Sequence, residues 1–234
     1  MGEHVVIPCR RGPNEELRYA LRSIATHCPW VDDVTIYGCP PDWYTGRSIP
    51  VEQGPNKYDN TTRAFAAFAA DDTLPADVVL WNDDFYAVRP TDRSPDANLG
   101  PLADRIDPRI TRNPRTAGTP HTRGAHEALI TLRAWGYDNP LCYDLHAPMT
   151  LNRDGLAETI AHIQHAHISG THKRTIYGAI CGAPGTETWA ADVKMHQPSA
   201  PWPDGAWAST SDSAFTRLRG RFAALLPQRS PWEK

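Results

Sequence analysis

The first ninety residues alternate between short apolar segments and segments with the periodicity of a helix. Three apolar runs have the length of buried strands: His4–Cys9, Val34–Tyr37 and Asp77–Trp81. Between them, residues 14–28 and 60–69 place apolar side chains at the spacing of a helix that packs on a core. This alternation predicts an α/β fold with a Rossmann-like, mostly parallel sheet that is flanked by helices.

Polar residues indicate where these helices should begin and end. Asn14 is suited to cap the first helix, and two glutamates follow in the first turn, where the helix dipole favours acidic side chains. Pro29 should end that helix, and Asn60 is suited to cap the second. A short additional strand at Ser48–Val51 would extend the sheet.

The second half of the chain has weaker periodicity and many of the 22 prolines, so we expect it to be rich in loops. Residues 91–124 show no clear period and contain several arginines; a segment this long without regular structure is usually functional or mobile. Three later segments have helical spacing: Glu127–Trp135, Asp154–Ile168 and Phe215–Leu226. The segment Ile176–Cys181 could be a strand or a helix. We expect residues 1–234 to form one domain.

Composition limits the class of protein. With 234 residues, 40% hydrophobic and 22% charged, the chain can bury the core of one domain. The net charge of −3 gives no overall attraction to nucleic acid or to an anionic membrane. No apolar run approaches the roughly 18 residues that span a bilayer. The N-terminus lacks a signal-peptide pattern and the five cysteines have no CxxC spacing, so we expect a cytoplasmic protein without a disulfide framework.

Two adjacent aspartates, Asp83 and Asp84, directly follow the third apolar run. Ligands of open α/β sheets bind beyond the carboxyl ends of the strands, which is where Asn82, Asp83 and Asp84 should lie. Adjacent carboxylates repel each other, and burial removes their hydration. Both effects cost free energy unless a cation lies beside the carboxylates. Mg²⁺ or Mn²⁺, which bind carboxylate and phosphate oxygens, would relieve that repulsion. The alternative is a solvated turn, as we expect at Asp32–Asp33 and Asp71–Asp72.

Four segments resemble conserved blocks of the Stealth family of capsular polysaccharide sugar-phosphate transferases. The sequences NEELRYALRSIATHCPWVDDVTIYG, NKYDNTTRAFAAF and VVLWNDDFYAVRP are similar to its second block. LHAPMTLNRDGLAETI, at Leu145–Ile160, is similar to its third block, in which a His-x-Pro precedes a helix. The same architecture resembles the GT-A glycosyltransferases, in which an Asp-rich motif at a strand end holds a metal on a nucleotide sugar.

The resemblance implies a nucleotide-sugar donor such as a UDP-sugar, a Mn²⁺ or Mg²⁺ ion, and a hydroxyl acceptor. Residues 1–90 would bind the donor, and residues 91–234 would form the acceptor side. The first Stealth block is replaced by HVVIPCRRGPN, and the fourth is only echoed by STSDS at Ser209–Ser213. Because of these departures, we rank glycosyl transfer above sugar-1-phosphate transfer. In length the chain is similar to small proteins of bacteriophage type.

The expected donor-binding residues are Arg10, Arg11, Arg18, Lys57, Asn82, Asp83 and Arg174. Arg10 and Arg11 follow the first strand and precede a helix N-terminus, a position that suits a diphosphate. Arg18 belongs to the family's ELR motif and Lys57 to a loop before the second helix, so each also has a structural explanation. The resemblance places Arg174 close to the donor phosphate.

The expected catalytic residues are His146, Asp84 and Asp144, and the expected metal ligands are Asp83, Asp84, Asp192 and His196. The resemblance places a catalytic histidine at His146, where a neutral imidazole could accept the proton of the acceptor hydroxyl. Asp144 is a rival base or a residue that orients His146. Asp192 and His196 alternate as a strand would present them to one face, so either could be an additional ligand.

The acceptor stays open between a hydroxymethylated base in phage DNA, a protein and a polysaccharide. The DNA hypothesis rests on the phage-like size and on the arginines of residues 105–123. A sugar-1-phosphate transferase and a non-enzymatic binding module are the alternative functions. Four histidines invite a zinc interpretation, but no cysteine or carboxylate completes a recognisable ligand set, so we expect them on a helix surface: His162, His165, His167 and His172.

Overall fold

The computed structural model describes residues 2–106, 109, 112–113, 118–197, 199 and 201–234. Its helices of this part of the chain are α1 (Glu15–His27), α2 (Lys57–Ala69), α3 (Pro120–Ala134), α4 (Arg153–His165), α5 (Lys173–Cys181) and α6 (Asp212–Leu225), with a 3₁₀ helix at Leu102–Arg105. The strands are β1 (Glu3–Cys9), β2 (Val31–Gly38), β3 (Arg47–Pro50), β4 (Asp77–Leu80), β5 (Phe85–Ala87), β6 (Ala97–Asn98), β7 (Met149–Asn152), β8 (Thr186–Glu187), β9 (Lys194–Met195) and β10 (Trp207–Thr210).

The main sheet has the strand order β3–β2–β1–β4–β7. The first four of these strands are parallel, whereas β7 runs antiparallel beside β4. The chain continues from β1 to β2 on one side and later returns to β4 on the other side. Such a reversal opens a crevice beyond the carboxyl ends of β1 and β4. The predicted mostly parallel sheet with flanking helices is confirmed and is compatible with a Rossmann-like fold.

The central strand β1 is buried on both faces, which explains its continuous apolar run. Val5, Val6 and Ile7 are fully buried and pair with β2 and β4. Helix α1 is buried on two sides: Leu17 and Leu21 belong to the core around the main sheet. Its other side joins a smaller apolar cluster with β5, β10 and α6. The two clusters therefore hold the second half of the chain against the first.

Both predicted helices exist, but only one of the two predicted asparagine caps is at the N-cap position. Asn14 occupies that position of α1, in a left-handed conformation (φ 41°), but its side chain makes no capping hydrogen bond and instead donates to the Arg10 carbonyl oxygen at 2.8 Å. It therefore fixes the turn after β1. Helix α2 starts earlier than predicted and is capped by Asn56, whose side chain accepts a hydrogen bond from the Tyr58 N–H. Asn60 lies in the helix and binds Gly54 instead.

The second half is more regular than its sequence indicates. The predicted helices are confirmed with shifted ends, and the ambiguous segment Ile176–Cys181 is helical as part of α5. A second sheet of order β5–β10–β9, and the edge strand β7, were not predicted.

Residues 91–124 contain β6, the 3₁₀ helix and the start of α3, while residues 107–108, 110–111 and 114–117 lie outside the described part. In the described residues, no helix is both long and apolar enough to cross a membrane.

A buried carboxylate fastens the C-terminal segment to α1. The side chain of Glu233 is fully buried and pairs with Arg18 and Arg22, at 2.9 Å from a guanidinium nitrogen of each. The Arg18 guanidinium also lies over the Trp43 ring, 4.3 Å from its centroid. Arg18 was expected to bind the donor, but it pairs with Glu233 and Glu15 and does not line the cavity of about 270 Å³ at the carboxyl ends of β1, β2 and β4.

Glu233→Ala should lower the free energy of unfolding by about 3–5 kcal/mol at pH 7, because it leaves two partly buried guanidinium groups without their carboxylate. Urea denaturation measures this loss. Glu158→Ala is the matched control, since Glu158 is 61% exposed and forms only a surface pair with His162. That variant should change stability by less than about 1 kcal/mol.

The effect of Glu233→Ala should also depend on pH. Burial alone would raise the pKa of Glu233, but hydrogen bonds from Arg22, Ser230 and Arg18 outweigh it and hold that pKa below its usual value. Such a carboxylate stabilises the fold at neutral pH, and this contribution is lost as the pH falls through the folded-state pKa. The difference between wild type and variant should therefore narrow below about pH 4. An equal difference at pH 7 and pH 3.5 would contradict this assignment.

Candidate functional site

A cavity of about 270 Å³ lies at the carboxyl ends of β1, β2 and β4. Its floor is formed by strand ends such as Pro8 and Cys9, and α2 contributes one wall. The charged and amide side chains that line it are Arg10, Glu16, Gln53, Lys57, Asn60, Asn82, Asp83, Asp84 and Asp212. The structure thus brings together Arg10, Lys57, Asn82, Asp83 and Asp84 from the predicted site.

The turn between β4 and β5 holds the two aspartates at this sheet edge. Trp81 is fully buried, and its indole N–H donates to the Phe85 carbonyl oxygen at 2.9 Å. The Phe85 N–H donates back to the Asn82 carbonyl oxygen, and the Thr210 N–H of β10 donates to the carbonyl oxygen of Asp84. The backbone of both aspartates is therefore fixed by buried strands on either side, which excludes a freely solvated turn.

The two carboxylates have little direct compensation. Asp83 Oδ2 lies 4.0 Å from Arg10 Nε, and Asp84 Oδ2 lies 3.9 Å from Lys194 Nζ. Both distances are too long for hydrogen bonds. The Asp83 and Asp84 side chains are only 20% and 24% exposed. Burial, followed by the neighbouring Asp84, raises the pKa of Asp83, and burial also raises the pKa of Asp84.

Arg10 is shared among several acids. Its guanidinium binds Asp212 Oδ2 at 2.8 Å and Glu16 Oε2 at 3.2 Å. Glu16 is buried, and burial together with the charge of Asp212 raises its pKa to about 7. Four acidic side chains thus face one arginine and Lys194, so the cavity edge would gain stability from an added cation.

The residues at this edge fit Mg²⁺ or Mn²⁺. These ions are usually held by one or two carboxylates and complete their shell with water and substrate phosphates. Asp83 and Asp84 supply such a pair. The two other predicted ligands, Asp192 and His196, are not part of this pair. Asp192 accepts two hydrogen bonds from His146. His196 is exposed, with its backbone carbonyl bound by Arg217.

His146 lies beside the acidic pair and is held by Asp192. Asp192 Oδ1 accepts from His146 Nδ1 at 2.7 Å and from the His146 backbone N–H at 2.8 Å. Because Nδ1 donates its proton, Nε2 carries the lone pair that can act as a base. The His146 ring also lies beside the Phe85 ring, with centroids 6.4 Å apart, and Phe85 directly follows Asp84.

Three predicted residues take other roles. The buried guanidinium of Arg174 donates to the carbonyl oxygens of Leu145 and Ala147, at 2.7 Å and 2.9 Å, so it fixes the backbone on both sides of His146. The side chain of Arg11 is exposed and does not line the cavity. Asp144 does not orient His146; Asp192 does.

Asp144 instead contacts two histidines. Asp144 Oδ2 lies 2.5 Å from His121 Nε2 and 3.7 Å from His172 Nδ1. His172 was expected on a helix surface, but it is only 3% exposed. Together, His121, Asp144 and His172 form a group of three side chains in the described residues that could hold a metal ion. Its three ligand atoms come from separate parts of the chain.

Sequence reasoning missed Glu16, Lys194, Asp212 and His121. Glu16 was interpreted only as a residue of the first helical turn, although it lies shortly after the loop that contains Arg10. Asp212 belongs to STSDS, the segment compared with the fourth Stealth block, so a signal for it existed. Lys194 lies between Asp192 and His196 in the alternating segment, so it also had a signal. His121 had none, because tertiary packing alone brings it to the site.

No model of a known protein family matches the chain, and no curated protein matches it. The Stealth and GT-A resemblances therefore stay predictions, based on the quoted motifs.

Asp83→Asn should stabilise the protein when no divalent ion is present, by about 1–2 kcal/mol at pH 8. Because the pKa of Asp83 is higher in the folded state than in the unfolded chain, ionisation costs folding stability as the pH rises towards the folded-state value. The gain should therefore be larger at pH 8 than at pH 5. Thermal unfolding in EDTA at the two pH values measures it.

The same variant should lose the response to Mn²⁺. Wild-type protein should unfold at a higher temperature in Mn²⁺ than in EDTA, since an ion that binds only the folded state stabilises it. Asp83→Asn should show no such shift. Asp72→Asn, which changes an exposed aspartate of another acidic doublet, is the matched control and should respond like wild type. A wild-type protein that is unaffected by Mn²⁺ and Mg²⁺ would contradict the assignment.

Proposed function

We propose that this protein is a metal-dependent glycosyltransferase that moves a sugar from a nucleotide-sugar donor, such as a UDP-sugar, to an acceptor hydroxyl. The observation that carries the proposal is the pair Asp83–Asp84. These carboxylates are mostly buried beyond the carboxyl end of β4 and line a cavity, and their cationic neighbours Arg10 and Lys194 stay 4.0 Å and 3.9 Å away, beyond hydrogen-bond distance. A solvated turn would have none of these properties.

The donor diphosphate would lie in the cavity between β1 and β4. Mn²⁺ or Mg²⁺ held by Asp83 and Asp84 would supply charge neutralisation for the departing nucleoside diphosphate. Arg10 lies at the end of β1 and Lys57 at the start of α2, so both bring positive charge to the cavity lining. The cavity volume of about 270 Å³ is close to the lower end of the range for small-ligand sites, roughly 300–1,000 Å³.

Proton transfer falls to His146 in this proposal. Its Nε2 accepts the proton of the acceptor hydroxyl while the oxygen bonds to the sugar carbon and the bond to the diphosphate breaks. Asp192 keeps the imidazole in the required tautomer and stabilises the imidazolium that forms. Arg174 acts as a positioning residue, because it fixes the carbonyl groups next to His146. General-base catalysis of this kind contributes about 10²–10⁴-fold.

The acceptor is any hydroxyl that reaches His146 Nε2: a hydroxymethylated DNA base, a protein side chain or a polysaccharide. An enzyme that acts on a base within duplex DNA must first extrude it. Sugar-1-phosphate transfer, which the Stealth resemblance implies, would use the same donor and metal but would break the bond between the two phosphates. It would therefore release UMP, whereas glycosyl transfer releases UDP.

Incubation with Mn²⁺, a panel of labelled UDP-sugars and each acceptor class should yield labelled acceptor and UDP. EDTA should abolish turnover.

Asp84→Asn should lower kcat at least about hundredfold, because it removes a carboxylate from the cation site. His146→Ala should lower kcat about 10²–10⁴-fold while Mn²⁺-dependent nucleotide binding stays intact. His162→Ala, an exposed histidine on α4, is the control and should keep full activity.

Two results would contradict glycosyl transfer. Full activity in EDTA would exclude the metal-dependent mechanism, and release of UMP in place of UDP would assign sugar-1-phosphate transfer. A third result, in which no donor is consumed and no nucleotide with Mn²⁺ raises the unfolding temperature, would favour a non-enzymatic binding module over either reaction.

A further inference from the structure

A second group of ligating side chains lies apart from the acidic pair. His121 is in the first turn of α3, Asp144 is in the segment before His146, and His172 directly precedes α5. The three ligand atoms all lie within 4.8 Å of one another. The two imidazole rings have centroids 4.5 Å apart. Residues separated by up to 51 positions in the chain are thus assembled into one cluster.

His172 has a lone pair that faces the carboxylate. Its Nε2 lies 3.1 Å from the backbone carbonyl oxygen of His121, and a carbonyl oxygen can only accept, so Nε2 carries the hydrogen. Nδ1 is then the unprotonated nitrogen of the neutral ring. This atom is buried, has no hydrogen-bond partner among the described residues, and lies 3.7 Å from Asp144 Oδ2.

Two electron-pair donors that face each other in a buried setting repel each other unless a proton or a metal ion lies between them. A neutral imidazole whose other nitrogen is fixed by a backbone carbonyl is the usual arrangement of a histidine metal ligand. Ligand atoms of a tetrahedral site lie roughly 3.4 Å apart, given metal–nitrogen distances of about 2.1 Å. The 2.5 Å between His121 Nε2 and Asp144 Oδ2 is a hydrogen-bond distance, so a metal ion would replace the proton between these atoms. His172 Nδ1, at 3.7 Å from the same oxygen, is close to the tetrahedral separation.

We propose that His121 Nε2, the Asp144 carboxylate and His172 Nδ1 form a binding site for a transition-metal ion of the Zn²⁺ class. Two imidazole nitrogens and one carboxylate favour Zn²⁺ or Co²⁺ over Mg²⁺, whose preferred ligands are oxygens. The site therefore differs in chemistry from the all-oxygen pair Asp83–Asp84. It goes beyond the proposed glycosyl transfer and does not depend on it.

The ligand set leaves room for a further ligand. The His121 side chain is 47% exposed, so one side of the cluster opens to solvent. Three protein ligands with one open position are the arrangement of zinc sites that bind water or a substrate oxygen. Asp144 is two residues from His146, so the open side would be close to the acceptor-side base. A ligand with an anionic or hydroxyl oxygen is the chemical class that this position would take.

Cobalt titration of the chelator-treated, full-length protein tests the site. Co²⁺ in a four- or five-coordinate site with nitrogen ligands gives intense visible absorption bands. We expect these bands to saturate at one equivalent, to disappear when Zn²⁺ is added, and to persist in excess Mg²⁺. His121→Ala and Asp144→Asn should each weaken Co²⁺ binding at least about tenfold. His121 is chosen over the buried His172 because its replacement is less disruptive, and circular dichroism checks that both variants fold.

Two control variants separate this site from other effects. His126→Ala removes another histidine of α3 and should leave the Co²⁺ bands and affinity unchanged. Asp83→Asn alters only the acidic pair and should also retain them, which distinguishes failure of this site from failure of the proposed function. The proposal is overturned if wild-type protein shows no saturable Co²⁺ or Zn²⁺ binding, or if His121→Ala and Asp144→Asn bind as tightly as wild type. Either result would leave the cluster as a hydrogen-bonded His–Asp pair without a metal.

Discussion

The arrangement of the site depends on poorly compensated negative charge at the carboxyl edge of the main sheet. Backbone hydrogen bonds at Asn82 and Asp84 fix the turn that carries Asp83 and Asp84 at this edge. Arg10, the nearest arginine, is bound more closely by Asp212 and Glu16 than by Asp83. Carboxylates that are mostly buried without close partners lower stability unless a cation accompanies them, and this cost is a reason to assign them a function.

The second half of the chain completes this edge. Strand β5 follows Asp84 directly and pairs with β10, whose end leads into α6 and Asp212. Strand β9 pairs with β10 and carries Lys194. Strand β7 pairs with β4 shortly after His146. The polar side chains from residues 144–212 are therefore placed by strand pairing against the first half, which gives them the rigidity that catalytic groups need.

The molecule presents two environments for cations that differ in ligand chemistry. The acidic pair offers only oxygen atoms and lies by the expected diphosphate position. The His121–Asp144–His172 cluster offers two nitrogens and one carboxylate, and it lies towards the expected acceptor side. In this cluster, Asp144 Oδ2 lies 2.5 Å from His121 Nε2 and 3.7 Å from His172 Nδ1.

The sequence by itself determined the α/β class, the parallel core strands and the position of Asp83 and Asp84, because these follow from local periodicity and from the rule that ligands bind at carboxyl strand ends. The role of His146, which the family resemblance implies, stays a prediction. The tertiary structure decided the rest. Asp192 orients His146, Arg18 binds the C-terminal segment, Arg174 fixes the backbone around His146, and His121 packs against His172. These contacts join residues far apart in the chain, and a single sequence carries no periodic signal for side-chain pairs that only packing brings together.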